Sequence, residues 1–262
     1  MTTELRDLLE AIDRQDSDVD AACQCEGENV LFWGPPGTGK THAAIHTHAS
    51  KFTGGVYATT VTLDTPAAEW RGFFIPKPDP ATGQPGMGWQ DGLAAKAMGR
   101  VLNEDGTTKI DRPTSRFVIN EIHKRGPDLE SLIHAVCDDR EMATIALPNG
   151  ETVFAQPDFQ VIATANEPMD QPDDPVADRF VIKIHVQYPS MAAIESLEAD
   201  LRDFTLKQYL LEPTNPRFIS FRKMAAFGRL RKKFDSNRAA RLVFEHQADE
   251  ILAAARTAGV TV

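Results

Sequence analysis

Gly34-Pro35-Pro36-Gly37-Thr38-Gly39-Lys40-Thr41 satisfies G-x-x-x-x-G-K-[ST] at every fixed position. The apolar run Val30-Leu31-Phe32-Trp33 precedes it and reads as a buried strand, and Thr41 to Lys51 can continue as a helix. A strand, a glycine-rich turn and a helix start make an anion site. Gly37 and Gly39 carry no Cβ, so the backbone can curl and aim its N–H groups at phosphate oxygens. The helix dipole adds positive potential at the same point. Lys40 is expected to reach the β- and γ-phosphates, and the Thr41 hydroxyl to ligate Mg²⁺. His42 ends the stretch expected to touch nucleotide. A chance glycine-rich turn is the competing reading, and the flanking strand and helix count against it.

Working outward, residues 4–15 read as an amphipathic helix with Leu5, Leu8, Leu9 and Ile12 on one face. Asp16 to Glu28 is polar and acidic and reads as a linker. Beyond the loop, Val56 to Leu63 is rich in β-branched residues and reads as a strand. Thr65-Pro66 reads as a helix start, with Thr65 as cap. Pro76, Pro78, Pro80, Gly83, Pro85, Gly86 and Gly88 break that helix and predict a protruding loop, with helix resuming near Asp91. Residues 103–114 read as a loop. Phe117-Val118-Ile119 reads as a short buried strand, residues 128–139 as a helix, and the segments around Pro148-Asn149-Gly150 as a hairpin. Phe159 to Ala165 and Val181 to Val186 are two more strands. From Ser190 onward the pattern is helical, including helices over 220–234 and 236–257 with Ser220 and Ser236 as caps. The expected layout is a helix and linker over 1–28, an α/β domain over 29–187 with a parallel five-stranded sheet flanked by helices, and a small all-α lid over 188–262.

Composition narrows the function classes. The chain has 262 residues, 42% of them apolar, and a formal charge of −10, as suits a globular protein with a real core. No apolar run approaches membrane-spanning length. The N-terminus lacks a basic region followed by an apolar one, so a cytoplasmic location is expected. Cys23, Cys25 and Cys137 are too few for a disulfide framework or a zinc site and read as free thiols. His42 and His46 have the i, i+4 spacing of metal ligands but no accompanying Glu, so zinc is not expected. Positive charge concentrates in Arg217, Arg222, Lys223, Arg229, Arg231, Lys232, Lys233, Arg238 and Arg241, against a single Asp235. A solvated helix face is the bland reading, and DNA, RNA or an acidic subunit are the others.

In a doubly wound sheet, ligands sit outside the carboxyl ends of the strands. One strand enters the phosphate loop, the next ends in Asn120-Glu121, and a third ends at Asn166. Glu121 is the candidate base that orients and deprotonates a water attacking the γ-phosphate. Asn166 is an uncharged group suited to hold that water or the phosphate.

With these residues in order, the chain resembles an AAA+ ATPase of the MoxR type over roughly residues 28–262. Gly34 to Thr41 is similar to the family's Walker A motif, and Phe117 to Lys124 resembles its Walker B motif. Val161 to Asn166 resembles the sensor 1 strand and Asp178-Arg179-Phe180 the "D-R-F" element. The resemblance implies ATP and Mg²⁺ as ligands, with Thr41 and Asn120 on the metal side. It implies that Arg179 is an arginine finger acting in the neighbouring subunit, with a structural salt bridge to an Asp as the competing role. Arg222 would be sensor 2, with Arg217 as the alternative. It further implies a hexameric ring and a protein client, often reached through a von Willebrand A-domain partner. The broken helix and the Asn149-Gly150 hairpin fall where such proteins carry a helix-2 insert and a pre-sensor-1 hairpin. Three stretches depart from the family's pattern. Asn120 stands where the family has Asp, His123-Lys124 replaces Asn-Arg, and Pro175-Val176-Ala177 shortens the approach to Arg179. Loss of charge at residue 120 lowers the expected metal affinity. The leading expectation is a slow ATPase that remodels or activates a protein. A nucleotide-gated assembly module and a DNA-directed ATPase are the alternatives.

Overall fold

The computed structural model describes residues 2–78, 83–103, 108–169, 174–211 and 218–260. Two compact units emerge. One holds Val19–Gly34 and Lys40–His185, and the other holds Met1–Asp18, Pro35–Gly39 and Val186–Val262.

The chain opens with α1 (Thr3–Gln24), then β1 (Asn29–Trp33), α2 (Lys40–His46) and β2 (Gly55–Thr60). The linker read over 16–28 is thus helical as far as Gln24. Its polar surface hides a continuing stripe, with Ile12, Gln15, Ala22 and Cys23 all buried. Next come α3 (Ala67–Arg71), β3 (Gly72–Pro78), β4 (Pro85–Asp91), α4 (Leu93–Met98), β5 (Gly99–Leu102), β6 (Thr108–Asp111) and β7 (Ser115–Asn120). Then follow α5 (Pro127–Val136), β8 (Thr144–Ala146), β9 (Thr152–Ala155), β10 (Gln160–Ala165) and β11 (Ile182–His185).

The main sheet has five strands in the order β11-β1-β10-β7-β2, all parallel. A parallel sheet covered on both faces requires near-continuous apolar strands. β1, β7 and β10 comply, and Val30, Phe32, Phe117, Val118, Ile119, Val161 and Ile162 are each essentially inaccessible. The register brings the strand ends level, with Trp33 beside Ala165, Ala163 beside Ile119 and Thr60 beside Asn120. α4 and α5 supply Ala94, Met98, Leu129 and Ile133 to the same core, with Trp70 packed edge-on against Phe117.

Two small sheets add to the strands read from the sequence: β3, β4 and β6 stand where loops are expected, while β8 and β9 form the hairpin expected around Pro148-Asn149-Gly150. β3 and β4 form a two-stranded antiparallel ribbon, and β6-β5-β9-β8 form a four-stranded antiparallel sheet. The ribbon accommodates its prolines because Pro76 pairs with Met87 and Pro78 with Pro85, alternate positions whose backbone nitrogens face away from the partner strand. Phe74, Pro76 and Pro78 share a face with Trp89, Met87 and Pro85. Phe74 meets Trp89 edge-on and is 49% exposed, and Met87 is 63% exposed. Pro80, in the predicted loop, lies outside the described residues, as does part of the 103–114 loop. Thr65 is not the cap of α3. Its hydroxyl accepts the Thr62 N–H at 2.8 Å, and Pro66 takes the cap position with extended backbone.

Helices α6 (Met191–Glu195), α7 (Ala199–Gln208), α8 (Phe221–Leu230), α9 (Ser236–Phe244) and α10 (Ala248–Thr257) complete the chain. Leu201, Phe204, Met224, Phe227, Ala240, Phe244 and Leu252 form their core. Asp235, not Ser236, caps α9, accepting the Arg238 N–H at 2.9 Å. The single helix expected over 236–257 is broken at Glu245, whose φ of 54° ends α9 before a short 3-10 turn leads into α10. In the same unit Leu8 and Ile12 of α1 pack with Ile194, while Gln15 accepts the Gln187 and Tyr188 N–H groups.

Among the described residues no helix is long and apolar enough to cross a membrane. The three cysteines are free thiols.

Candidate functional site

The loop between β1 and α2 starts from the sheet. The Gly34 N–H donates to Ala165 O at 3.2 Å, tying the end of β1 to the end of β10. Gly37 and Gly39 have φ of 87° and 99°, a region that side-chain-bearing residues avoid. The Thr38 hydroxyl donates to Pro35 O at 3.2 Å. Lys40 is 5% exposed and its Nζ donates to Gly34 O at 2.7 Å, so the ammonium is folded back along the loop. Pro36 completes the turn, and His42 points from α2 into solvent, where its ring meets His46 at 4.5 Å. Among the described residues no group of three or more His, Cys, Asp or Glu could hold a metal.

A hydrogen-bonded cluster joins α2 to the ends of β7, β2 and β10. Asn120 Oδ1 accepts from the Thr41 and Thr164 hydroxyls, each at 2.6 Å, and its Nδ2 donates to Thr60 Oγ1 at 3.2 Å. Glu121 has left-handed backbone, with φ 60° and ψ 40°, a costly conformation for a residue with a side chain. Its N–H donates to Thr164 Oγ1 at 3.2 Å. Asn166 Nδ2 lies 3.0 and 2.9 Å from the two Glu121 carboxylate oxygens. Lys124 Nζ is 3.0 Å from Glu121 Oε2, and His123 Nε2 is 3.4 Å from it. Burial pushes this carboxyl up, but Lys124, His123 and Asn166 outweigh it and hold Glu121 below the ordinary value. The base candidate is therefore ionised at neutral pH and bracketed by donors.

The donor chemistry fits a hard cation. Thr41 and Asn120 offer neutral oxygens side by side, a pair suited to Mg²⁺, which keeps most of its waters and takes few protein ligands.

Arg116, at the other end of β7, is fully buried, and among the described residues its hydrogen-bond partners include no carboxylate. Its guanidinium donates to Cys23 O, Ala44 O and Thr47 O at 2.7, 2.9 and 2.7 Å, and to Gln160 Oε1 at 2.6 Å. Those carbonyls belong to the closing turns of α1 and α2, where helix dipoles present negative potential. Burial nonetheless pulls this guanidinium below its ordinary value. Arg116 thereby fixes α2, whose first turn carries Lys40 and Thr41, to the strand that carries Asn120.

The structure brings together Thr41, Asn120, Glu121 and Asn166, with Lys40 at the loop. Arg179 is apart from them, ion-paired with Asp138 of the same chain, while its carbonyl accepts from Asn29 Nδ2 at 3.0 Å. Within the other unit, Arg222 lies against the loop: a Cβ built on Gly37 would sit 3.3 Å from Arg222 Cβ. Arg217 lies outside the described residues. Of the basic run, Arg222, Lys223, Arg229, Lys232, Lys233, Arg238 and Arg241 are exposed, and Arg231 is held by Glu198 and Asp200. Sequence reading missed Thr60, Thr164, Lys124 and Arg116. The threonines read as ordinary strand residues, and the one available signal was Lys124 lying three residues after Glu121.

A parallel five-stranded sheet with flanking helices, a phosphate loop after β1 and a helical C-terminal region define the AAA+ P-loop fold. Residues 29–180 match the AAA domain (dynein-related subfamily), and the chain belongs to that family. No curated protein matches it in sequence. The structure of NtrX from Brucella abortus in complex with ATP is similar in fold, with a TM-score of 0.51, 14% identity, and coverage of 86% of this chain and 52% of that one. A RuvB mutant from Thermotoga maritima has a TM-score of 0.49 and 17% identity, with 86% and 64% covered. The chain thus spans about half to two-thirds of these relatives' lengths.

Proposed function

We propose that this protein is a Mg²⁺- and ATP-dependent ATPase of the MoxR type, working at sites between the subunits of a ring to remodel or activate a protein client. The observation that carries this reading is the hydrogen-bonded convergence of Thr41, Asn120, Glu121, Thr164 and Asn166 at level strand ends beside Lys40. Loop amides and Lys40 bind the β- and γ-phosphates, with Gly34 to Thr41 as the cradle and His42 at its rim. Thr41 and Asn120 would hold Mg²⁺, which supplies neutralisation of phosphate charge. Glu121 accepts a proton from the attacking water, and Asn166 orients both carboxylate and water. Arg179 leaves its Asp138 partner to act in the neighbouring subunit, and Arg222 or Arg217 contacts phosphate from the lid. In this reading residues 29–187 form the nucleotide domain and 188–262 the lid. The ring is a hexamer in the cytoplasm, and a von Willebrand A-domain protein delivers the client.

The test is steady-state ATP hydrolysis with Mg²⁺ across a range of protein concentrations, with Lys40→Ala as blank. Specific activity that climbs with concentration and is lost in Arg179→Ala supports inter-subunit sites. A rate no higher than the blank overturns hydrolysis. Asn120 favours a second reading, a nucleotide-gated assembly module with weak turnover. Asn120→Asp separates the two: a large gain in rate supports the module, and little change supports the motor.

A further inference from the structure

Thr164 lies in β10, two residues before Asn166, and is 1% exposed. Its Oγ1 is 3.2 Å from the Glu121 backbone nitrogen and 2.6 Å from Asn120 Oδ1. A backbone N–H can only donate, so the hydroxyl accepts from Glu121. Its own hydrogen is then free for Asn120 Oδ1. One oxygen atom therefore links the side chain on the metal side of the site to the backbone of the candidate base.

The consequence depends on residue 120 being Asn. An aspartate presents two equivalent oxygens, so a half-turn of its carboxylate changes nothing. An amide is asymmetric, and a half-turn would put NH₂ where the oxygen now faces Thr41. The Thr41 and Thr60 hydroxyls can each donate or accept and would tolerate either orientation. Thr164 is different. A flipped amide would set a donor against its buried hydroxyl hydrogen, and among the described residues that hydroxyl has no other hydrogen-bond partner.

We propose that Thr164 is a positioning residue that selects the orientation of the Asn120 amide, oxygen toward Thr41. The role exists because residue 120 is an asparagine, whose amide has two unlike ends, and not an aspartate. It rests on the ATPase reading and names the residue that makes a neutral metal-side group workable.

The experiment places Thr164→Val and Thr164→Ser in the full chain, in both the Asn120 and the Asn120→Asp backgrounds. Two quantities are read: kcat, and the enhancement of ATP affinity by Mg²⁺ over EDTA. With Asn120, Thr164→Val is expected to lower both about tenfold, the scale of one hydrogen bond, without altering ATP affinity in EDTA. Thr164→Ser restores both to within about twofold. With Asp at 120, Thr164→Val costs about threefold or less, because the orientation no longer needs selecting. Equal cost in the two backgrounds overturns the proposal, as does a Ser variant as impaired as the Val variant. If the parent turns over no ATP above the Lys40→Ala blank, the ATPase reading falls and the Mg²⁺ enhancement alone decides Thr164 by the same pattern. A parent whose ATP affinity ignores Mg²⁺ overturns the positioning role.

Discussion

The two ends of β7 spend their polar groups differently. At its start, Arg116 is buried and gives its bonds to Gln160 and three backbone carbonyls. At its end, Asn120 and Glu121 are half-buried, and their side chains bond to other side chains: Thr41, Thr60, Thr164, Asn166 and Lys124. Backbone carbonyls at helix ends are fixed in place, so the Arg116 end is a fastening. Side chains can exchange partners, so the Glu121 end is the one suited to the proposed chemistry. A single strand thus separates stability from chemistry over five residues' distance along the sheet.

That separation is open to test. Glu121→Gln has the largest expected effect, a loss of about 10²–10⁴ in kcat with ATP affinity unchanged and only a small fall in melting temperature from the lost Lys124 and His123 pairs. A fall in melting temperature as large as that of Arg116→Met would mean that the far end also fastens the fold. Arg116→Met is expected to cost about 3 kcal/mol of stability in chemical denaturation, because carbonyls of two helix ends lose their donor inside the core. Arg116→Lys recovers only part of it, since an ammonium cannot fork to several carbonyls as a guanidinium does. Lys124→Ala has the smallest effect and acts on pH alone. Glu121 is held below the ordinary carboxylate value partly by Lys124, so the variant's pKa rises and the acid limb of kcat moves to higher pH. The sign for stability is the same. A depressed carboxyl adds stability above its unfolded value that disappears as pH falls through the folded value, so parent and variant converge in acid. Melting curves of Lys124→Ala that stay apart at low pH would contradict this account.

The chemical end was far more legible than the fastening end. The phosphate loop is local: its spacing and flanking strand suffice to find it. Asn120, Glu121 and Asn166 announce themselves as polar residues ending apolar strands in a parallel sheet. Arg116 offers no such cue. An arginine opening a strand reads as exposed, and its burial depends on helix ends 93 and 69 to 72 residues away in sequence. Thr60 and Thr164 are hidden because β-branched residues belong in strands for reasons of shape alone. The same distance effect conceals β5 and β6 in the four-stranded sheet, where β5 pairs with β9 across about half a hundred residues, while the local β8–β9 hairpin is legible from Asn149-Gly150. Asn103 to Thr114 therefore looks like a loop until its partner strands are in view. In α1 the misreading was of a different kind. Acidic residues dominate Asp16 to Asp20, while the buried stripe that sustains the helix needs only Gln15, Ala22 and Cys23.

The prolines of the β3–β4 ribbon reach beyond its own geometry. Pro76 and Pro78 remove donors from the free edge of β3, and Pro85 removes one from the free edge of β4. Strand addition is thereby disfavoured along the β3 margin and at the Pro85 end of the β4 margin. The broad face of the ribbon, with Phe74 and Met87 exposed, is the part of it that presents apolar surface. A surface so built exposes apolar side chains while offering fewer backbone donors for the edge pairing that seeds fibrils.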